Sequence, residues 1–476
     1  LDKMNNLIKK FLGFSIGPVI GAMISFVTIP VTTYFISPED YGKAGMFTLF
    51  QALIGTFLYL GLDQAYTREY HETDNKDNLL KNAILFPLML SLLMLIVLIF
   101  NIHRISSLLF DSPIYYFATV LFGISLIFLV FERFILLSIR MDEKALEYST
   151  VNIFLKLNVL LLTLILLGIF KERNFLAVVY SNVWGQIIVD LYLIIRYRKY
   201  LDLRTFKLDK LQIKRLLSFG IPIILAASIN NLLHSFDRIA LRTWSNYFEI
   251  GIFTAALKIS TVLTILQTSF STFWTPVAYR WYSEKRNIVY FKFVSDVVLL
   301  LMSMLFCVIL IFKNIIVVLL SADYLDAKYI FGLLCLFPIM YTLSETTTLG
   351  IVFSRKSYFN IFVSIISMIP NIIINILLTP HFGAIGAAVA TGVSYIVFYY
   401  CRSYFSKMMW TGFSLKIHNI ITAILFGASL INTQDYQFVT IINIGFLCCV
   451  LLFQMPTIKK IIYIYKNKNI SKDKIL

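Results

Sequence analysis

The stretch SINNLLHSFDRIAL, residues 228–241, sets His234, Asp237 and Arg238 within five positions of an otherwise apolar run. On a helix Asn230, His234 and Arg238 recur every four residues and share one face, and Asp237 follows His234 at i+3. Such a stripe can hold an anion at Arg238 and carry a coupling proton on Asp237 or on His234, whose imidazole titrates near neutral pH. The alternative is structural, an Asp237–Arg238 pair bracing one end of the helix. Lys156 and Lys258 each stand about seven residues inside an apolar run, deep enough to bind an anion in a cavity and near enough to snorkel to the interface. Glu345 is either a proton or cation site or a cap at a helix end. Arg68 with Glu72, and Arg280 with Glu284, repeat the pattern R-x-Y-x-E; they read either as ion pairs at a gate or as ordinary loop charge.

The elements that position these groups follow from composition. The chain has 476 residues, 59% hydrophobic and 14% charged, where a soluble domain is about one quarter charged. Apolar runs of about 20 residues recur along the whole length, each long enough to cross a hydrocarbon core about 30 Å thick. They are continuous rather than alternating, which excludes a β-barrel. Fourteen helical spans are expected at 11–36, 44–62, 83–100, 114–136, 149–170, 174–195, 219–241, 251–274, 293–315, 330–350, 359–379, 384–405, 416–432 and 438–454. The fold class is an all-α polytopic membrane protein.

With the N-terminus cytoplasmic, the outside loops hold six basic residues: Lys43, Arg104, Lys171, Arg173, Arg242 and Lys328. Five of the 42 Lys and Arg lie within spans, leaving 31 on the inside. That asymmetry follows the positive-inside rule and puts both termini in the cytoplasm. It also accounts for the net charge of +16 without nucleic acid, because the charge is spread over many segments.

The halves resemble each other. FSIGP at 14–18 matches FGIP at 219–222, YGKAGMFT at 41–48 matches IGIFTAAL at 250–257, and the two R-x-Y-x-E segments follow in the same order. Six spans per copy is even, so the repeat is parallel about an axis along the membrane normal. The expected organisation is a six-helix lobe at 1–195, a basic linker at 196–218, a second six-helix lobe at 219–405, two further spans at 406–454 and a basic tail at 455–476. The linker reads either as an amphipathic helix on the inner leaflet or as a solvated connector.

FISPEDYGKAGMFTLF (35–50), LGLDQAYTREYHE (60–72), FDRIALRTWSNYFEIGIFTAALKI (236–259) and TPHFGAIGAAVATGVSY (379–395) resemble the O-antigen and capsule repeat-unit flippases of the multidrug/oligosaccharidyl-lipid/polysaccharide exporter superfamily. The resemblance implies two six-helix lobes in a V around a cationic central cavity, with helices 13 and 14 outside. It implies movement of an undecaprenyl-pyrophosphate-linked oligosaccharide from the inner to the outer leaflet of a bacterial inner membrane. Under this reading Lys156, Lys258, His234 and Arg238 bind the head group, and His234, Asp237 or Glu345 couples an ion. Arg68, Glu72, Arg280 and Glu284 form the gate. The protein acts as a monomer beside polysaccharide polymerase and chain-length machinery.

No G-x-x-x-x-G-K-[ST], H-E-x-x-H or G-x-S-x-G motif is present, and neither cofactor nor metal is expected. The five cysteines lie in apolar runs and read as packing residues. Two other readings compete with the flippase. One is a multidrug or other lipid-linked exporter of the same superfamily, which should present acidic cavity groups to cationic drugs. The other is a membrane-embedded polymerase or ligase, for which the expected long outer loops are missing.

Overall fold

The structure, a computed structural model, describes residues 2–169, 173–202, 204, 206–354, 356 and 358–466, with side chains left undescribed at 2–15, 225, 226, 230 and 465. The side chain of Asn230, the charges Lys3, Lys9, Lys10, Lys171 and Arg355, and the tail beyond residue 466 therefore lie outside the described residues.

Among the described residues the chain is helical and contains no strand. The helices are α1 (Asp2–Phe35), α2 (Pro38–Leu58), α3 (Leu62–Glu69), α4 (Lys76–Phe100), α5 (Ile102–Phe110), α6 (Tyr116–Met141), α7 (Ala145–Leu164, continued as a π-turn over Ile165–Ile169) and α8 (Phe175–Arg196). Then come α9 (Lys210–Trp244), α10 (Tyr247–Ser283), α11 (Ile288–Ile311), α12 (Lys313–Val318), a 3-10 segment (Ala322–Tyr329), α13 (Phe331–Thr347), α14 (Leu349–Phe353), α15 (Tyr358–Met409), α16 (Lys416–Ile431), α17 (Val439–Phe453) and α18 (Met455–Lys466). Nine helices among the described residues are long and apolar enough to cross a membrane, or up to twelve if each of three bent pairs is one span. α15 is two helices joined at a break, and α16 is a shorter apolar helix, so every one of the fourteen expected spans falls on a helix. The chain is a multi-pass membrane protein.

Side chains written into the sequence start these helices. Asn75, Asn174, Asn246 and Asn287 cap α4, α8, α10 and α11 by accepting a backbone N–H from the first turn at 2.9–3.0 Å. Ser37 does the same for α2, with Pro38 in the first helical position. Two glycines set the breaks. Gly61 (φ 68°) follows Leu60 (φ 51°), and α2 and α3 meet there at 51°. A Cβ on Gly61 would come within 2.2 Å of the Gly220 carbonyl oxygen. Gly383 (φ 51°, ψ −126°) breaks α15, and the freed N–H of Ala384 donates to Glu249 Oε2 at 2.8 Å.

Several boundaries depart from the sequence expectation. The connection at 101–113, expected on the outside, contains α5. The eighth span, expected to end at 274, continues as α10 to Ser283. The basic linker does not form a helix of its own: residues 197–209 hold no α-helix among those described, and the last nine residues of the segment are the first turns of α9.

The chain forms two compact units, Leu1–Leu232 and Leu233–Leu476. In the first, Ile135, Ile139, Val151, Leu155, Val189 and Leu193 from α6, α7 and α8 close one core. In the second, Trp274, Ala278, Phe291 and Leu349 pack with Trp281, Phe353 and Trp410. Leu92, Leu93, Ile96, Ile373, Leu377 and Ile441 stay exposed, as lipid-facing side chains of spanning helices do.

Candidate functional site

In the C-terminal unit the charged stretch of α9 meets the broken helix α15. Asp237 is 4% exposed, and its carboxylate is ringed by neutral donors. Asn371 Nδ2 and Asn375 Nδ2 donate to Oδ1 at 3.0 and 2.9 Å, and Thr391 Oγ1 donates to Oδ2 at 2.7 Å. The two asparagines are one turn apart and face the same way, while Thr391 comes from beyond the Gly383 break. Thr379 Oγ1 holds Asn375 Oδ1 at 2.8 Å, fixing the amide's orientation. The break in α15 thus lets three groups from one helix converge on one carboxylate. Arg238 lies beside Asp237 in sequence, and its Nε has no hydrogen-bond partner among the described residues.

One turn before Asp237, His234 is partly buried against aromatic rings. Tyr395 hydroxyl lies 2.6 Å from Nδ1, and Phe337 meets the imidazole edge-on at 5.1 Å. Further along the same unit, Glu345 accepts from Arg402 Nη1 at 2.7 Å, and Ser344 Oγ accepts from the same nitrogen at 2.8 Å. Arg402 also stacks near Tyr341 and Phe398, at 5.3 and 5.2 Å from the ring centres. Counted in the sequence among loop charges, Arg402 is 8% exposed and holds Glu345 in a buried ion pair.

The N-terminal unit carries a second polar cluster inside its helices. Arg133 on α6 donates to Asp63 Oδ2 through Nη2 at 2.6 Å and Nε at 3.1 Å. Glu132, next to it, is partly buried and neighbours Lys156 on α7 and Gln186 on α8. Gln51 on α2 bridges Ser125 Oγ and Gln186 Oε1 at 3.0 and 3.1 Å. Asp190, one turn beyond Gln186, reads from the sequence as interfacial; it is fully buried.

The remaining expected site residues are spread out. Lys156 and Lys258 are both exposed on their helices. Arg68 stacks over the ring of Phe219 at 4.4 Å, Glu72 and Arg280 are exposed, and Glu284 pairs with Arg286 at 3.0 Å. The turn between α6 and α7 carries a compact polar knot. Asp142 accepts from Lys144 Nζ at 2.8 Å, from Tyr200 hydroxyl at 3.0 Å and from Tyr70 hydroxyl. Partial burial works against ionisation of Asp142, and these three hydrogen bonds outweigh it, holding the carboxyl below its ordinary value. The bond to Asp142 raises Lys144 in turn.

The sequence reading passed over Asn371, Asn375 and Thr391 around Asp237, and Glu132, Gln51 and Gln186 around Asp190. One signal for the first group was present: an N-x-x-x-N pair at 371–375 puts two amides on one face of an apolar helix, where polar groups need partners. Among the described residues no three His, Cys, Asp or Glu side chains converge as transition-metal ligands would.

Comparison with known proteins places this geometry. A family model described as "Polysaccharide biosynthesis protein" matches residues 7–281. No curated protein matches the chain by sequence. Among solved structures, the lipid II flippase MurJ in an inward closed conformation superposes with a TM-score of 0.72 at 16% identity, covering 94% of this chain and 99% of its own. An inward-facing multidrug resistance MATE family transporter of the MOP superfamily gives 0.64 at 15% identity, covering 84% and 97%. A MOP superfamily transporter from Pyrococcus furiosus, described as having a binding pocket of reverse polarity, gives 0.59 at 15% identity, covering 84% and 95%. The chain shares the fold of these transporters.

Proposed function

The chain belongs to the polysaccharide biosynthesis protein family, and from that membership we propose that it flips a polyprenyl-pyrophosphate-linked oligosaccharide repeat unit across a bacterial cytoplasmic membrane by alternating access. The observation that carries the reading is the likeness, over 94% of the chain, to the lipid II flippase MurJ. Two exposed lysines on long apolar helices support an anionic cargo: Lys156 in the first unit and Lys258 in the second are each a candidate contact for the pyrophosphate, and Arg238 and His234 are further candidates within the second unit. Both termini face the cytoplasm. The product is an O-antigen or capsule repeat unit, handed as a monomeric flippase's output to polymerase and chain-length machinery. The reaction is transport and makes or breaks no covalent bond.

Of the ion-coupling candidates, Asp237 is favoured over Glu345 and His234. Its oxygens face neutral amides and a hydroxyl, which can turn oxygen ligands toward a small cation, whereas Glu345 is neutralised by Arg402 and His234 is held by Tyr395. Arg68, Glu72, Arg280 and Glu284 remain the gate assignment, with Arg68 on Phe219 the best-anchored member.

A second reading, a multidrug exporter, draws on the likeness to the MATE transporter. The test separates them. Reconstituted protein should expose undecaprenyl-pyrophosphate-linked oligosaccharide to an external glycan-modifying enzyme, and Lys156→Ala or Lys258→Ala should remove at least nine-tenths of that exposure at equal protein. Exposure unchanged in both variants removes the lysines as anion site, and export of cationic dyes with no glycan exposure overturns the flippase reading. Loss of sodium- or proton-gradient dependence in Asp237→Asn marks the coupling site; a gradient response intact in that variant removes it.

A further inference from the structure

The transport reading leaves unused the acidic pair of the N-terminal unit. Asp190 has no accessible surface, and among the described residues neither of its oxygens receives a hydrogen bond. Gln186, one turn away and 8% exposed, gives its Oε1 to Gln51, while its Nε2 has no acceptor. That amide neighbours both Glu132 and Asp190, and the two carboxylates neighbour each other.

From α6, Arg133 is committed to Asp63 at 2.6 Å and to the ring of Tyr59 at 5.6 Å. Tyr59 closes α2 and Asp63 opens α3 beside them. α7 contributes Lys156, which is exposed and interacts with Glu132, while Asp190's charged neighbour is Glu132. Residues 16–35 of α1 hold no ionisable group besides Tyr34, and α4 has its charges, Lys76, Asp77 and Lys81, in its first two turns. Exposure therefore falls from Lys156 through Glu132 to Asp190; Lys156 and, more weakly, Arg133 act on Glu132, and Tyr59 neighbours both carboxylates.

We infer that Glu132 and Asp190 form a proton-binding pair, and that a pyrophosphate-type anion at Lys156 binds together with a proton taken up by that pair. Two neighbouring carboxylates withdrawn from water cannot both remain charged, so they share protons and titrate as a unit. With no anion present, Lys156 is the counter-ion of Glu132. An arriving anion takes over Lys156, and Glu132 is left beside Asp190 with only its weaker interaction with Arg133, which is already bound to Asp63; a proton from solvent then neutralises it. Linkage is reciprocal: protonation of the pair strengthens anion binding by the factor with which the anion strengthens proton binding. The second half of the inference rests on the reading of Lys156 as an anion site, and the first half does not.

The test uses the purified full chain in detergent micelles, with inorganic pyrophosphate as probe. Infrared spectra at neutral pH should show a protonated carboxylic acid C=O band that Glu132→Gln and Asp190→Asn, both isosteric, remove or shift and that Lys156→Met retains. A band unaffected by either substitution, or no such band, overturns the pair. Pyrophosphate added to weakly buffered wild-type protein should draw up to one proton per anion bound. Its affinity should weaken by as much as about tenfold per pH unit on the alkaline side of the pair's titration. Glu132→Gln should bind pyrophosphate at least as tightly as wild type, without proton uptake and with a flat pH profile. Uptake that persists in Glu132→Gln and Asp190→Asn overturns the linkage. Failure of pyrophosphate to bind wild type overturns both the linkage and the anion reading of Lys156, while the infrared band still decides the pair.

Discussion

Asp237 and Asp190 are both carboxylates on long apolar helices, 4% and 0% exposed, and the two units treat them in opposite ways. The C-terminal unit surrounds Asp237 with three hydrogen-bond donors from α15. The N-terminal unit gives Asp190 none among the described residues and sets a second carboxylate, Glu132, beside it. The matched segments differ as well. Ser37 and Asn246 cap α2 and α10 at an offset of 209 residues, the same offset that pairs Gly42 with Gly251. Beyond those caps, the N-terminal copy bends by 51° at Leu60–Gly61, while the C-terminal copy runs unbroken for 37 residues. A shared helical plan has kept its caps and spans while its buried charges and its breaks diverged. Chemistry here belongs to one unit at a time.

The largest contrast comes from one substitution made twice. Asp237→Asn takes the charge out of three hydrogen bonds: the remaining carbonyl oxygen can still accept from Asn371 and Asn375, while the Thr391 hydroxyl must turn to Ala387 O, 3.2 Å away, and accept from the new amide. Replacing charge-assisted by neutral hydrogen bonds at three donors costs about 2–3 kcal/mol. Asp190→Asn removes a buried ionisable group that receives no hydrogen bond, and should leave stability unchanged or raise it by about 1 kcal/mol. Thermal unfolding in detergent checks both. Equal destabilisation by the two substitutions would erase the distinction between a satisfied and an unsatisfied carboxylate.

The spans were readable because a bilayer imposes a length: about 20 apolar residues in succession has one common meaning, and every such run proved helical. The break between the eleventh and twelfth spans was readable too, since Thr379, Pro380 and Gly383 interrupt the run where α15 kinks. Burial of individual charges was not. Asp190 stands six residues from the end of its helix, a position that suits an interface equally well, and only the packing of α8 against α2 and α6 distinguishes the two. Glu132 hid beside Arg133: adjacent residues on a helix point apart, so the sequence cannot tell that Arg133 turns to Asp63 while Glu132 turns toward α7 and α8. Arg402 looked like a loop charge because the twelfth helix runs on past its apolar stretch to Met409. The π-turn that ends α7 and the bend at Leu60 have no signature in periodicity.

A smaller contrast separates the ion pairs of the two units. Arg402–Glu345 and Arg133–Asp63 have nearly equal N···O distances, 2.7 and 2.6 Å. Their environments differ, with the Arg402 side chain 10% exposed and that of Arg133 41% exposed. Glu345→Gln strands a buried guanidinium and should destabilise by about 3 kcal/mol. Asp63→Asn leaves Arg133 able to reach solvent and should cost about 1 kcal/mol. Unfolding midpoints in one detergent give the ranking. A larger loss for Asp63→Asn would mean that Arg133 is shielded by something other than the protein's own atoms, bound lipid being the candidate, and repeating the pair in a second detergent would test that.

The smallest effect is acid sensitivity, and it too differs between the units. Asp142 in the first is held low by its bonds from Lys144, Tyr200 and Tyr70 against the pull of partial burial, and Asp435 in the second by its hydrogen bond from Lys328. A carboxylate held low when folded adds stability that is fully present above its unfolded value, about 3.9, and is lost as pH falls through the folded value. Both contributions therefore begin to fade below about pH 4 and are gone once pH is under the lowered folded values. Lys144 and Lys328, raised by the same bonds, lose theirs only as pH climbs past the ordinary lysine value of about 10.4. The Asp435 side chain is 54% exposed and water screens its pair, whereas Asp142 is 23% exposed and tied to three donors. The fall in unfolding temperature between pH 6 and pH 3 should shrink measurably in Asp142→Asn and hardly at all in Asp435→Asn, each change corresponding to less than about 1 kcal/mol. An equal change in both would mean that the three-donor knot at the α6–α7 turn is no stronger than a single surface ion pair.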